Sequence, residues 1–355
     1  MNTRRGSICA NARHTKHGRG LEYVHETAGP NGSKRTLSYL TDEWAKKGLL
    51  ETFIEDIRAR EDSPSGGVWA SPLAVDDFLD SYIGRKAAQF VEGYADERPM
   101  CLFVGFGGPH EPYDAPGPYA TMYRPEETPQ PMPVPKAYAE LPEWVTAKSD
   151  FEVYPAEMLA SVPEMRANYY GKMSLIDDNV GHILDAFARR GWLDDLFIVF
   201  LSDHGEMLGD HGRLRKSTFH ESSIRIPLIA RWPGRIPENN LSEAMAEIVD
   251  VFPTVVEAGG GEPSTRCLGR SLWPVFRQSQ DEVRAGQVSE VEFGEARIML
   301  RSRRWKLAID KQDVCYMLYD LKNDPEEQHN LAADPAAELL RLKLRKRLAS
   351  TLARL

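Results

Sequence analysis

The sequence has 355 residues and a formal net charge of −9, from 44 basic and 53 acidic residues, and 42% of its residues are hydrophobic. This length suits one large domain, alone or with a small second one, and the composition is that of a folded globular protein. The acidic balance argues against nucleic acid as the main partner. No stretch approaches the ~20 consecutive apolar residues of a membrane-spanning helix, so we expect no membrane partner.

Residues 1–20 are basic and show no hydrophobic periodicity, so we predict that they are disordered or that the chain starts at the wrong codon. They lack the apolar core of a secretory signal, which predicts a cytoplasmic location for the chain as written. The cysteines Cys9, Cys101, Cys267 and Cys315 have neither the spacing of a metal site nor that of a disulfide framework. Cys101 lies in an apolar run and is predicted to be buried.

Helices are predicted where apolar residues recur every three or four positions. One or two surface helices are expected over 41–60, one over 75–94, one over 163–190 that ends at Gly191, and one over 247–258. The apolar stripe of the long helix is predicted to comprise Tyr169, Met173, Ile176, Val180, Ile183 and Phe187.

Short apolar runs bounded by charge or glycine are typical of strands buried in a parallel sheet. Such runs are MCLFVGF at 100–106, LFIVFL at 196–201 and IRIPLIA at 224–230. A proline-rich segment, 107–135, follows the first run and predicts a long ordered loop. The alternation of helices and strands predicts an α/β fold in which helices cover both faces of a mostly parallel sheet.

After about residue 261 the pattern changes to short alternating segments. Three elements are predicted there: a hairpin over 296–310, a strand over 316–321 and a charged amphipathic helix over 336–355. We therefore predict an α/β core over 21–275. A small α+β subdomain with short antiparallel strands and a terminal helix is predicted over 276–355.

The run LFIVFL is followed by Asp203, His204 and Gly205. Ligands of open α/β sheets bind beyond the carboxyl ends of the strands, so both polar side chains can reach that crevice. Aspartate supplies a hard oxygen ligand and histidine a neutral nitrogen ligand, which indicates a metal site. The alternative is an ordinary turn at the end of a strand. Gly205 is expected to let the backbone turn sharply.

Two further residues are candidates for binding an anion. Lys216 lies in a polar loop and can hold an anionic group as a point charge, although a lysine in solvent is the alternative. His110 follows the first predicted strand and is therefore expected at the same edge of the sheet. It can donate a hydrogen bond to an anion or protonate a leaving group, and a loop histidine bonded to backbone is the alternative. His211 and His220 are interpreted as structural residues or as residues that support the site, rather than as catalytic ones.

In this order the segments resemble the sulfatase family of the alkaline phosphatase superfamily, from about Gly20 to the C-terminus. GGPHEPYDAPGPY resembles the family's PHxPY loop, SDHGEMLGDHG followed by Lys216 its second metal segment, and LYDLKNDPEEQHNLA a later segment. The resemblance implies an alkaline-phosphatase-like fold and a hydrolase that acts on sulfuric esters. It also implies one divalent cation held by Asp203 and His204, expected to be Ca²⁺, with Mn²⁺ or Mg²⁺ as alternatives. By the same resemblance Lys216 binds the sulfate group, and His110 contacts the ester oxygen and assists the leaving group.

Two parts of the family's site have no counterpart in this sequence. Family members begin with a strand that ends in an Asp-Asp pair, followed by a C-x-P-S-R or S-x-P-S-R segment whose first residue becomes formylglycine, the nucleophile. Cys9–Arg13 keeps only the cysteine and the arginine, so we expect no formylglycine site here and a chain that begins late. The pairs Asp76-Asp77 and Asp177-Asp178 lie in helical patterns and are interpreted as solvated.

Three functional hypotheses follow. A sulfuric ester hydrolase acting on a small-molecule or glycan sulfate ester is preferred for the full gene product, whereas the third hypothesis below is preferred for the chain as written. A phosphonate monoester hydrolase or phosphodiesterase of the same superfamily shares the Asp-His pair and is the second hypothesis. A non-catalytic remnant is the third, because the nucleophile segment is absent from the sequence. The sequence leaves the identity of the ester and the oligomeric state open.

Overall fold

The computed structural model describes residues 4–9, 21–29, 33, 38–291 and 296–353, and for 4–9 it describes the backbone alone. The rest of the N-terminal twenty residues, with most of the segment that begins at Cys9, lies outside the described residues. None of the helices in the described part of the chain is long and apolar enough to cross a membrane.

The chain divides into two compact units. The N-terminal unit comprises Asn2–Gln130 and Pro155–Asp194, and the C-terminal unit comprises Pro131–Tyr154 and Asp195–Leu355. Neither unit begins or ends near residue 275, where the sequence predicts a boundary between core and subdomain. That boundary stays a prediction.

The predicted helices over 41–60, 75–94, 163–190, 247–258 and 336–355 are confirmed to within a few residues. The helices are α1 Tyr39–Lys46, α2 Leu50–Glu61, α3 Leu79–Glu92, α4 Glu143–Thr146, α5 Ala156–Leu159, α6 Val162–Arg189, α7 Glu221–Ile224, α8 Val251–Ala258, α9 Trp273–Phe276 and α10 Glu338–Leu352. The strands are β1 Arg4–Cys9, β2 Tyr23–Glu26, β3 Met100–Gly105, β4 Ile198–Leu201, β5 Leu228–Arg231, β6 Gln287–Val291, β7 Arg297–Arg301, β8 Trp305–Asp310 and β9 Cys315–Asp320.

The N-terminal unit contains a parallel sheet in the order β2-β1-β3. The prediction that the first twenty residues lack structure is therefore wrong for β1. The sequence of β1, RRGSIC, has no clear hydrophobic pattern, and its backbone pairing with a strand on each side defines it instead. Periodicity alone cannot detect such a strand, because the ladder bonds join backbone groups rather than side chains.

The apolar runs that predicted buried strands form β3, β4 and β5, but each of these strands has an exposed face. Phe103, Phe200 and Ile229 are exposed, the first of them by 60%. Cys101 on β3 is also exposed, so its predicted burial is wrong. A continuous apolar run predicts burial on both faces of a strand, whereas side chains alternate between the faces and here only one face is covered.

Helices α3 and α6 pack against each other in the N-terminal unit. Pro163 lies in the first turn of α6, where a missing N–H costs nothing, and Gly191 follows its end with a left-handed φ of 69°. The long helix is therefore confirmed, and so is the residue that ends it.

The predicted apolar stripe of α6 is buried at Ile176, Ile183 and Phe187 but not at Met173. Met173 is 49% exposed, whereas Asn168, Lys172 and Asn179 are buried. The predicted stripe is therefore confirmed in part, and polar residues that a search for apolar repeats does not count share the buried face.

In the C-terminal unit β4 pairs with β5 in antiparallel orientation, and a second antiparallel sheet has the order β6-β7-β8-β9. The predicted hairpin and the strand after it are confirmed as β7, β8 and β9, and β6 was not predicted. One face of this sheet packs Tyr316 and Tyr319 with Phe219, and the other packs Leu318 with Leu344 of α10. The predicted α/β fold is confirmed; among the described strands, β1, β2 and β3 pair in parallel and the strands of the other two sheets pair in antiparallel orientation.

Two glycines of α6 give opposite predictions for stability. A Cβ atom on Gly171 would lie 2.1 Å from the carbonyl oxygen of Tyr119, whereas one on Gly181 would meet nothing within 4 Å. We expect Gly171→Ala to lower the free energy of unfolding by about 1–3 kcal/mol through overpacking. Gly181→Ala should raise it by up to about 1 kcal/mol through helix propensity. Denaturant unfolding of both variants checks this, and equal stabilities would contradict the described packing.

Candidate active site

The turn after β4 brings Asp203 and His204 together. Ser202 Oγ donates to the carbonyl oxygen of His204 at 2.7 Å, and the backbone N–H of His204 donates to Asp203 Oδ1 at 3.0 Å. His204 Nδ1 lies 2.8 Å from the carbonyl oxygen of Gly205. A carbonyl oxygen only accepts, so Nδ1 carries the proton and Nε2 of the neutral ring has a lone pair.

Asp203 Oδ2 and His204 Nε2, which take no part in the hydrogen bonds just described, fit part of a metal site. Asp203 Oδ2 lies 3.7 Å from His204 Nε2, a separation at which one cation at ordinary ligand distances contacts both. The Asp203 side chain is 80% exposed and that of His204 35%, so the pair is open to solvent. No group of three or more His, Cys, Asp and Glu side chains suited to a metal occurs among the described residues.

Gly205 is required for a different reason from the predicted one. Its φ is not left-handed, but a Cβ atom there would lie 2.1 Å from the carbonyl oxygen of Ser222. Its N–H donates to the carbonyl oxygen of Ser223 at 2.7 Å. Glycine thus lets the Asp203 turn approach the backbone of α7 closely, and this contact fixes the turn.

Lys216 lies half-buried in a loop whose backbone is held on both sides. Its neighbours Arg215 and Ser217 have left-handed φ angles of 67° and 72°, which are uncommon for residues other than glycine. The N–H of Arg215 donates to the carboxylate of Glu206, and Arg297 Nη2 donates to the carbonyl oxygen of Ser217 at 3.3 Å. Strained backbone of this kind is kept where surrounding contacts impose it.

A group of buried charges, which we name the Lys306 cluster, anchors the chain just after Lys216. Lys306 Nζ donates to the carbonyl oxygen of Phe219 at 2.7 Å and to Glu327 Oε1 at 2.6 Å, and it lies 2.7 Å from Glu221 Oε1. The N–H of Glu221 donates to Glu327 Oε2 at 2.7 Å. Burial opposes ionisation of Glu221, but the hydrogen bond from Arg301 and the charge of Lys306 lower its pKa to about 2.

His211 and His220 are buried side by side, with ring centroids 4.5 Å apart. His220 Nδ1 lies 2.7 Å from Thr218 Oγ1 and its Nε2 lies 3.2 Å from the hydroxyl of Tyr138. Neither ring nitrogen of His211 has a hydrogen-bond partner among the described residues. Burial lowers the pKa of His211 to about 4 and that of His220 well below its ordinary value. Both rings therefore pack as neutral groups, in agreement with their interpretation as structural.

His110 belongs to the N-terminal unit, whereas Asp203, His204 and Lys216 belong to the C-terminal unit. His110 Nδ1 lies 2.6 Å from the carbonyl oxygen of Glu111 and 3.2 Å from its carboxylate. Nδ1 therefore carries the proton, and Nε2 is the ring nitrogen suited to a proton transfer.

Lys172 and Asp80 are site-related residues that sequence reasoning missed. Both are buried, and both bond the loop that carries His110, Lys172 through its Nζ atom and Asp80 through a carboxylate oxygen. The signal that could have found them is a charged residue at a position of α3 or α6 that faces the core.

Two family models match the chain. A model described as Sulfatase matches residues 29–261, and a model described as N-sulphoglucosamine sulphohydrolase, C-terminal, matches residues 209–354. The first match includes all four site residues that were predicted from the sequence and covers well over half of the chain.

Curated relatives agree with these matches. The multifunctional alkaline phosphatase superfamily protein PehA of Trinickia caryophylli is 31% identical over 292 residues, which cover 73% of this chain and 57% of PehA. The choline-sulfatase of Rhizobium meliloti is 30% identical over 276 residues, which cover 74% of this chain and 52% of that protein. The chain spans about half the length of these curated relatives.

The structure resembles that of the phosphonate monoester hydrolase of Agrobacterium radiobacter, with a TM-score of 0.81 at 22% sequence identity. The match covers 99% of this chain and 78% of that chain. At this identity the likeness shows the fold alone, and it confirms the predicted alkaline-phosphatase-like architecture.

The buried histidines predict how stability depends on pH. The unfolded chain protonates His211 below about pH 6.5, whereas the folded protein does so only near pH 4. Between these values the unfolded state binds more protons than the folded state. The free energy of unfolding should therefore fall as the pH is lowered, by up to about 1.4 kcal/mol per pH unit. His211→Gln should make this slope shallower, and His329→Gln, at an exposed position, should not. Denaturant unfolding from pH 7 to pH 4.5 measures both slopes, and identical slopes would contradict the buried neutral ring.

Proposed function

Because the chain belongs to the sulfatase family, we propose that the protein is a metal-dependent hydrolase of sulfuric esters. The observation that carries the proposal is the pairing of Asp203 Oδ2 with His204 Nε2, close in sequence to the fixed loop of Lys216. The proposed substrate is a small-molecule or glycan sulfate ester. The choline-sulfatase among the relatives supports the first, and an N-acetylglucosamine-6-O-sulfatase of Bacteroides thetaiotaomicron, 30% identical over 174 residues, supports the second.

We propose Ca²⁺ as the cation, with Mn²⁺ or Mg²⁺ as alternatives, and Asp203 and His204 as two of its ligands. When bound, the cation supplies Lewis acidity towards the sulfuryl oxygens. Lys216 binds a sulfate oxygen through its positive charge, and the contacts of Arg215 and Ser217 hold its backbone in place. His110 in its doubly protonated form donates its Nε2 proton to the leaving-group oxygen and becomes the neutral ring, while the Nδ1–H stays bonded to Glu111. The proposal leaves the nucleophile unassigned.

A second candidate keeps the fold and changes the ester. PehA, at 31% identity, is described as a multifunctional member of the alkaline phosphatase superfamily, which favours testing phosphonate monoesters and phosphate diesters. Rates on an aryl sulfate and on an aryl phosphate diester, measured side by side, decide between the two. We expect the sulfate to be hydrolysed faster, and the reverse order would favour the phosphorus ester.

Removing one metal ligand should lower metal affinity and activity together. In Asp203→Ala we expect calcium affinity to fall by about tenfold or more, since a carboxylate is the hard ligand of the pair. Isothermal titration with Ca²⁺ and hydrolysis of an aryl sulfate measure the two effects. Asp281→Ala, at an exposed position in the same unit, is the control. Retained calcium affinity in Asp203→Ala would overturn the ligand assignment, and a protein that binds no calcium and hydrolyses nothing would be a non-catalytic one.

Lys216→Ala should separate turnover from metal binding. The lysine contacts the anion rather than the cation, so we expect turnover to fall by about tenfold or more while calcium affinity stays the same. Lys322→Ala, at an exposed position of the same unit, provides the control. Equal losses of both properties would show that Lys216 supports the metal site instead.

A further inference from the structure

The loop that carries His110 leaves β3 and is bonded at its start by a buried carboxylate. Asp80, on α3, is 1% exposed, and its Oδ1 atom accepts hydrogen bonds from the N–H groups of Gly107 at 2.8 Å and Gly108 at 2.9 Å. A Cβ atom on Gly108 would lie 2.5 Å from Asp80 Oδ2. The backbone therefore approaches the carboxylate as closely as glycine allows.

A buried ammonium group bonds the same loop at its other end. Lys172, on α6, is also 1% exposed. Its Nζ atom donates to the carbonyl oxygens of His110 at 2.8 Å and Pro112 at 3.0 Å, and to Asp114 Oδ1 at 2.9 Å. All three donor positions of the ammonium group are used, which is the full capacity of lysine.

Burying a carboxyl or an ammonium group costs free energy unless hydrogen bonds to neighbouring groups offset it, and burial raises the pKa of Asp80 accordingly. An apolar residue of similar volume would fill either position without a desolvation penalty, and replacement of buried ion pairs by apolar residues is often neutral or stabilising. Both groups instead bond to the backbone of one short segment, which no apolar side chain can do. The arrangement fixes the position of peptide groups rather than adding to the core.

We propose that Asp80 and Lys172 are positioning residues, which clamp the backbone from Gly107 to Pro112 and thereby aim Nε2 of His110 at the leaving-group oxygen. This inference rests on the proposed function of His110. The clamp itself is a property of the N-terminal unit and is measurable without substrate.

Hydrogen exchange tests the clamp directly. Asp80→Ala removes the acceptor of two amides, and Lys172→Met removes three hydrogen bonds while it keeps an unbranched side chain. We expect exchange within 107–115 to speed up by about tenfold or more in both variants, because each loses bonds to a charged group. Asp80→Asn keeps an oxygen that can accept from Gly107 and Gly108, so it should retain most of the protection.

The matched control is Leu175→Ala. Leu175 is as buried as Lys172 and lies on the same helix, but its side chain cannot bond the loop. In Leu175→Ala, hydrogen exchange within 107–115 should change only as far as the global free energy of unfolding changes. Denaturant unfolding measures that change. The clamp is refuted if Asp80→Ala and Lys172→Met accelerate this segment no more than Leu175→Ala does. If Lys172→Met does not fold, the comparison of Asp80→Ala with Asp80→Asn decides.

Activity on a series of aryl sulfates tests the link to His110. A misplaced proton donor matters most for leaving groups that need a proton, so Lys172→Met should lose about tenfold or more in kcat on poor leaving groups. On good leaving groups the loss should stay below about threefold. A uniform loss across the series would overturn the positioning role. Absence of turnover in the unsubstituted protein would refute the proposed function instead, and the exchange result would still decide the clamp.

Discussion

One buried ammonium group fixes the segment that follows Lys216. Lys306 lies on a strand of the C-terminal sheet, and its Nζ atom contacts the carbonyl oxygen of Phe219 and the carboxylates of Glu221 and Glu327 at once. A charge removed from water is tolerated only with well-placed partners, so these three groups must stay together. The strand thus imposes its own rigidity on a loop with little regular structure, and the strained backbone beside Lys216 can persist.

The N-terminal unit uses the same kind of interaction on a different loop. Lys172 projects from the middle of a long helix and bonds the carbonyl oxygens of His110 and Pro112. In both units a lysine on a regular element, rather than a residue of the loop, sets the backbone around a candidate site residue. Surface side chains of these loops can then change while the functional group keeps its position.

Much of this arrangement was predictable from the sequence, and the rest was not for identifiable reasons. Asp203 and His204 were predicted because a strand followed by polar residues marks the ligand edge of an α/β sheet. Periodicity located α6 and three residues of its buried face, but it did not count polar residues such as Lys172 that share this face. Lys306 was not predicted, since its partners at Glu221 and Glu327 are distant in sequence and no local pattern links them. Strand β1 was not predicted, because its backbone pairing rather than its side-chain pattern defines it.

The order in which the chain visits the two units has a genetic consequence. It passes from one unit to the other after Gln130, after Tyr154 and after Asp194. The segment Pro131–Tyr154 of the C-terminal unit is thus inserted into the sequence of the N-terminal unit, and α6 follows this insertion. Any single crossover within the gene therefore divides at least one unit between two parents. Relatives can exchange a complete unit only if two separate segments of the gene are replaced together.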